Sequence, residues 1–533
     1  MYGTKSLVTF IALVTLSQFD TLAQQTPAKP LIARGRVFID VDEDGKCGAN
    51  ETLMKGVRVS NGRDIVLTNE RGEYELEITN DSIVFVIKPS GYRTPLSREN
   101  LPKFFYIHKP DGSPKLMYPG VAPTGPLPQS IDFPLYAQEE PNTFRVILFG
   151  DTQPRDDKEV DYIAEDVVAD LIGEKAAFGV SLGDIVFDNL NVFEPLNETI
   201  GLIGIPWHNV IGNHDINTDA SERRFINETF ERHYGPSFYS FDFGQVHFVV
   251  LDNIDWRTNA EGKLAFAPGF GAEQLAFLEK DLQLCPESQM VVLMMHVPLK
   301  SNPDTAGIFR LIEKRPFCIS ISGHLHLHQH QFLSEADGWK GAKPHHHIIN
   351  VTVSGSWWTG KKDERGIPHA TMADGAPNGS SIITFDGQNY FLDYVAAGLD
   401  RGKQMRIEYP AVIEKTKMAE TPLYVNVFDG SDRSQVFYRF DRQGEWISLK
   451  KADEVDPFFK RLYEESLASP VPNEPALTKP VNSTHLWRGD VLQLAAGVHL
   501  IEVKTIDTFG RTFFAHRSVR VEDPVASPSS GTR

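Results

Sequence analysis

Cysteine is scarce in this chain: three in 533 residues, Cys47, Cys285 and Cys318. That excludes a disulfide-stapled scaffold, even for a protein made for an oxidising compartment. Cys285 and Cys318 stand just before and at the start of two apolar runs, so either one bridge between them or two buried thiols is compatible with the sequence. Positive charge is also in deficit, with 53 Lys and Arg against 71 Asp and Glu for a formal net charge of −18, and no basic tract offsets it locally. Nucleic acid and anionic membrane are thereby excluded as main partners. A small anionic substrate would need local cations, and bound metal ions are their natural source. No repeat of fixed period is present. One long apolar run stands out, Leu7 to Leu16, preceded by Lys5 and followed by Thr21-Leu22-Ala23. It is shorter than the roughly 20 residues that span a bilayer, so residues 1–23 read as a secretory signal peptide cleaved near Ala23 and not as an anchor. The mature chain is expected to be exported, periplasmic or extracellular, without a membrane span.

What is present is a folded protein's composition, 41% hydrophobic, at a length that implies several domains. Residues 31–136 alternate short strands with Asn, Asp and Gly turns, the pattern of a β-sandwich. A polar linker, Ala137 to Thr143, follows. Over 144–397 strands alternate with helical stretches such as Asp157 to Glu174 and Gly271 to Leu284, which predicts a layered α/β domain. Residues 401–523 return to β alternation and predict a second sandwich, with a Pro-rich loop from Ser469 to Pro480 and a disordered tail over 524–533.

Five short polar motifs follow one another in the central region, each directly after an apolar run. They are Gly150-Asp151-Thr152-Gln153, Gly183-Asp184, Gly212-Asn213-His214-Asp215, His296, and Gly323-His324-Leu325-His326. Ligands at the carboxyl ends of strands are where an α/β sheet builds its site. Asp, Asn and His suit first-row divalent metals, and a carboxylate can bridge two of them. Any one motif is weak, since a lone Asp after a strand is usually a helix cap; the series is specific. Side chains two apart on an extended segment share a face, which places His324 and His326 about 6 to 7 Å apart, within reach of different ions of a pair about 3.5 to 4 Å apart.

At these residues the chain resembles the calcineurin-like metallophosphoesterases, here with extra N- and C-terminal β domains as in a bacterial exported subgroup. The resemblance implies a four-layer α-β-β-α core flanked by two all-β sandwiches, and two divalent ions of manganese, iron or zinc. By motif position, Asp151 and His326 hold the first metal, Asp184 bridges, and Asn213, His296 and His324 hold the second. Gln153 stands where the family usually has histidine and is taken as a weaker ligand of the first metal, or else as a contact to substrate or water. His214 is the implied general acid, oriented by Asp215. The implied reaction is hydrolysis of a small phosphomonoester or phosphodiester by a metal-bridging hydroxide. The rival reading is a secreted binding or adhesion protein whose phosphoesterase domain is impaired, with Gln153 as its sign.

Three further features stand apart. Asp40, Asp42, Asp44 and Glu51, with Gly45 between, have the spacing of a calcium loop, set between strands; an acidic surface turn is the alternative. Ser354 to Gly360, with Trp357 and Trp358, and Asp374 to Gly379 resemble the subgroup's post-catalytic region, where a Trp either walls the pocket or packs between domains. His345, His346 and His347 cannot all face one way on a strand, which argues against a three-histidine metal site.

Overall fold

The computed structural model describes residues 31–258, 264–470 and 476–524. The expected signal peptide, the tail beyond residue 524 and part of the Pro-rich loop lie outside them. Two sheets face each other at the centre. One runs in the order Trp207–Val210, Phe178–Leu182, Thr143–Phe149, Gly379–Asp386, Asn389–Ala396, its first three strands parallel and the last two antiparallel. The other runs Tyr239–Phe243, Val246–Val250, Met290–Met294, Cys318–Ser322, His345–Ile349, Gln329–Leu333, parallel inside and antiparallel at both edges.

Strand alternation explains the layering. Val146, Leu148 and Val180 point inward and share one core with Phe248, Val250, Val292 and Met294 of the opposite sheet. Their neighbours Ile147 and Phe149 point outward against Val160, Ile163, Leu196 and Ile200 of the helices Asp157–Ile163 and Phe193–Gly201. On the other side Val291 and Leu293 pack against Leu278, Leu282, Ile308 and Ile312 of the helices Gly271–Gln283 and Thr305–Ile312. Both faces of each central strand are therefore buried, which is why these strands read as continuous apolar runs. The result is α-β-β-α, with β-rich regions on either side.

The N-terminal β region forms two sheets, one built on Leu31–Ile39 and the other on Arg58–Ser60 and Ser82–Ile87. Its Val37, Val59, Leu76 and Val84 belong to the same apolar cluster as the inter-sheet core, and Phe85 meets Phe277 edge-on at 6.1 Å. The C-terminal β region has its own core of Ile407, Val425, Tyr438, Ile501 and Val503 between two sheets. It also carries a helix that the β pattern hid, Pro457–Ala468, capped by Asp456 and begun by proline. The stretch from Asp157 stays α-helical only to Ile163, then widens into a π turn over Ala164–Val168. Cys285 and Cys318 are free thiols, each raised by burial, to about 11 and about 12. Among the described residues no helix is long and apolar enough to cross a membrane.

Candidate metal centre

The carboxyl ends of five buried strands meet at one edge of the paired sheets, and the chain turns sharply as it leaves them. Asp151, Gln153, Asp184, His324 and His326 all have φ between 40° and 76°, a left-handed conformation that costs about 1 to 3 kcal/mol at a non-glycine residue. The packing that holds the turns leaves no room for alternatives. A Cβ on Gly212 would lie 1.9 Å from the Asp184 nitrogen, and one on Gly183, itself at φ +86°, would lie 2.5 Å from Nδ1 of His296. The expectation that His324 and His326 share one face of an extended segment is therefore corrected: the strand ends at Ser322, and the two turn residues diverge.

That divergence distributes the ligands. Nδ1 of His324 lies 3.1 Å from Nε2 of His296, while Nε2 of His326 lies 3.6 Å from Oδ1 of Asp151. Around Nε2 of His296 stand Oδ1 of Asp184 at 3.2 Å and Oδ1 of Asn213 at 3.2 Å. The other nitrogen, Nδ1, faces the Leu182 carbonyl at 2.9 Å. A carbonyl only accepts, so Nδ1 carries the proton and Nε2 turns its lone pair toward the Asp184 carboxylate, the Asn213 amide oxygen and the His324 ring nitrogen. Two oxygens that only accept face that lone pair, which favours a cation at that point. Without a metal it is a proton: burial alone would strip it, but the carboxylates of Asp184 and Asp151 hold His296 protonated up to about 9. His324, buried beside that charge, is pushed down to about 4. The donor set of carboxylate, amide oxygen and two imidazoles fits a divalent transition metal.

The first site is organised on the same rule. Nδ1 of His326 donates to the Gly355 carbonyl at 2.8 Å, leaving Nε2 toward Asp151. Asp151 is buried, and its carboxylate accepts the His324 amide from both oxygens, at 3.0 and 2.9 Å. Gln153 departs from the expectation. Its Oε1 accepts from the Trp357 indole at 2.6 Å and its Nε2 donates to Oδ2 of Asp184 at 2.8 Å. An indole N–H can only donate, which fixes the amide with its nitrogen toward Asp184. Gln153 thus holds the Asp184 carboxylate by a hydrogen bond, and its oxygen accepts from Trp357. Trp357 also lies over His326, ring centres 4.1 Å apart, so it walls the first site. Trp358 packs into the outer core against Tyr162.

His214 projects beside this cradle, and its orienting partner is not Asp215. Nδ1 of His214 bonds Oδ1 of Asp188 at 2.8 Å, and its ring stacks on Phe187 at 4.5 Å. Asp215 is fully buried and accepts the backbone amides of Ile185, Val186 and Gly212 at 3.1, 3.0 and 2.8 Å. It ties two ligand turns together, and burial with Asp184 nearby raises it to about 7. The sequence signal for Asp188 was its place four residues after Asp184, in the same turn.

In the expected calcium loop, Asp40, Asp42 and Glu51 bring ligand oxygens within 4.8 Å of one another. Asp44 is not in that group; its Oδ1 accepts the Lys46 amide at 2.8 Å. His345 and His347 both bond Ser320, while His346 faces His330 and Tyr390, so the three do not converge.

Three family models match the chain: N terminal of Calcineurin-like phosphoesterase over residues 41–117, Calcineurin-like phosphoesterase over 144–328, and C terminal of Calcineurin-like phosphoesterase over 347–513. Together they span most of its length. The chain belongs to the calcineurin-like phosphoesterases, a class of metal-dependent phosphoester hydrolases. A search of curated proteins finds no match. Among solved structures, purple acid phosphatase PPD1 from yellow lupin (Lupinus luteus) seeds is similar over 68% of this chain, at 13% identity and a TM-score of 0.35. The match takes in 66% of that protein, just under two thirds of its length.

Proposed function

We propose that this chain hydrolyses a small phosphomonoester or phosphodiester, with Asp184, Asn213, His296 and His324 holding one divalent ion and Asp151, Asp184 and His326 another. The observation that carries the reading is the convergence of a carboxylate oxygen, an amide oxygen and a second imidazole on Nε2 of His296, at 3.1 to 3.2 Å from His324, Asp184 and Asn213. Bound by these residues, the ions would supply a nucleophile near neutral pH and neutralise phosphoryl charge. The protein's own groups do the rest. Asp188 keeps the His214 proton on Nδ1 in the resting imidazole, so Nε2 faces the reaction space; protonated there, His214 donates to the departing oxygen. Gln153 holds Asp184 in place, and Trp357 closes the side of the pocket next to His326.

The charge-then-apolar pattern of residues 1–23 supports export of the mature chain, which N-terminal sequencing of protein from the periplasmic or extracellular fraction tests. Activity is tested on p-nitrophenyl phosphate and its bis-ester with added manganese. Wild type is expected to turn over at least one of them, while Asp184→Asn and His296→Ala lose activity yet stay folded. A well-folded, metal-replete Asp184→Asn protein with substantial turnover would sink the two-metal reading, and an inert wild type would favour a binding protein.

A further inference from the structure

Two histidines that the metal centre leaves unused stand immediately past its last turn. His328 precedes the edge strand Gln329–Leu333 and His330 lies within it. Two residues apart on extended chain, they share a face and reach the same carboxylate of the C-terminal β region. Nε2 of His328 is 2.8 Å and Nε2 of His330 is 2.7 Å from Oδ1 of Asp429. The three side chains are buried, at 0%, 4% and 6% exposure, and their ligand atoms lie within 4.8 Å of one another.

As a hydrogen-bond cluster the group is incomplete. Oδ2 of Asp429 and Nδ1 of His328 are shut off from solvent without a partner, an arrangement that typically costs about 1 to 3 kcal/mol for each atom. The surroundings are by contrast well ordered. Nδ1 of His330 pairs with Nε2 of His346 at 2.8 Å, and Nδ1 of His346 with the Tyr390 hydroxyl at 2.6 Å. The His328 amide is held by Asp374 at 2.9 Å, and Asp374 is held by His485 at 3.0 Å. Outer partners of this kind fix the ring orientation of metal-binding histidines. Two imidazoles and a carboxylate are donors zinc favours, at bond lengths of about 2.0 to 2.2 Å that set neighbouring ligand atoms about 3.3 Å apart. An ion here requires the triangle to open by about half an ångström from its hydrogen-bonded separations, and a bidentate carboxylate would engage the unpartnered Oδ2.

We propose that His328, His330 and Asp429 form a third metal site, structural and of the zinc class, which clamps the C-terminal β region to the strand leaving the catalytic turn. It is separate from the phosphoesterase reading and stands whether or not the chain is active. The test is anomalous diffraction at the zinc edge from zinc-grown crystals of the full chain, paired with metal counting on zinc-loaded, gel-filtered protein. A peak between the three side chains is expected, with Asp429→Asn holding one equivalent less than wild type and Asp184→Asn retaining this ion. No peak at that position, or equal zinc in wild type and a folded Asp429→Asn protein, overturns the proposal. Where Asp429→Asn fails to fold, the wild-type map decides alone.

Discussion

His214 owes its orientation to Asp188, and that single contact makes its role measurable. A general acid contributes about 10² to 10⁴ where the departing oxygen is basic, and little where an aryl group leaves easily. His214→Ala is therefore expected to lower turnover of alkyl phosphates far more than of p-nitrophenyl phosphate. Asp188→Asn should reproduce part of the same split, because the Nδ1 contact at 2.8 Å keeps the ring aimed. Equal losses on both substrate types in His214→Ala would remove it from proton transfer. Gln153 gives a second residue-scale prediction. Its oxygen faces the Trp357 indole, so under the proposed two-ion reading the first ion would rest on Asp151, Asp184 and His326 alone, and this ion should be the one lost on dialysis and restored by manganese. Gln153→His, which adds an imidazole donor, should lengthen its retention; unchanged metal content in both proteins after dialysis would contradict this.

The strand ends carried most of what was legible. Each ligand motif adjoins a strand buried on both faces, so apolar run and polar terminus sit side by side in the sequence. Asp151, Asp184, Asn213, His296, His324 and His326 could all be found that way. What stayed hidden depends on distant pairing: Trp357 meets Gln153 across 204 residues, and Asp429 meets His328 across 101. No local pattern encodes such contacts. The orientation of His324 and His326 was missed because a turn at positive φ replaces the extended chain that spacing alone suggests. Helix Pro457–Ala468 was missed because its exposed faces dilute the apolar period, although Asp456-Pro457 is a helix-start signal. In the loop after Leu31–Ile39 the sequence spacing named four oxygens, of which Asp40, Asp42 and Glu51 come within 4.8 Å of one another. Its Asp40 is buried, with Oδ1 lacking a partner, which leaves one oxygen open to an ion such as calcium. Calcium should raise the melting temperature of the full chain, with mass action supplying about 2.7 kcal/mol at a hundredfold excess over Kd. The comparison is wild type against Asp40→Asn at fixed manganese; equal response to calcium in the two would refute the site.

At the scale of the whole molecule, the N-terminal β region is joined to the central sheets by a buried charge cluster as well as by shared apolar packing. His247 lies between two carboxylates, Nδ1 at 2.7 Å from Asp242 and Nε2 at 2.9 Å from Asp281. Arg58, from the N-terminal strand Arg58–Ser60, reaches both carboxylates and closes the cluster. Burial alone would strip the His247 proton; Asp281 and then Asp242 outweigh it and hold the imidazolium up to about 9, against an ordinary 6.5. A pKa raised by folding stabilises the protein fully below about 6.5 and loses that contribution as pH rises through about 9. The amount is on the order of 3 kcal/mol for a shift of this size. Denaturant titrations of the full chain should show stability falling across that window, as the cluster changes from two cations facing two carboxylates to one. His247→Gln removes the titrating group, so it should lower stability at pH 6.5, by about 3 to 5 kcal/mol for a broken buried charge set, and flatten the profile up to pH 9. A variant that keeps the wild-type slope would place the titration elsewhere and leave His247 neutral between its carboxylates.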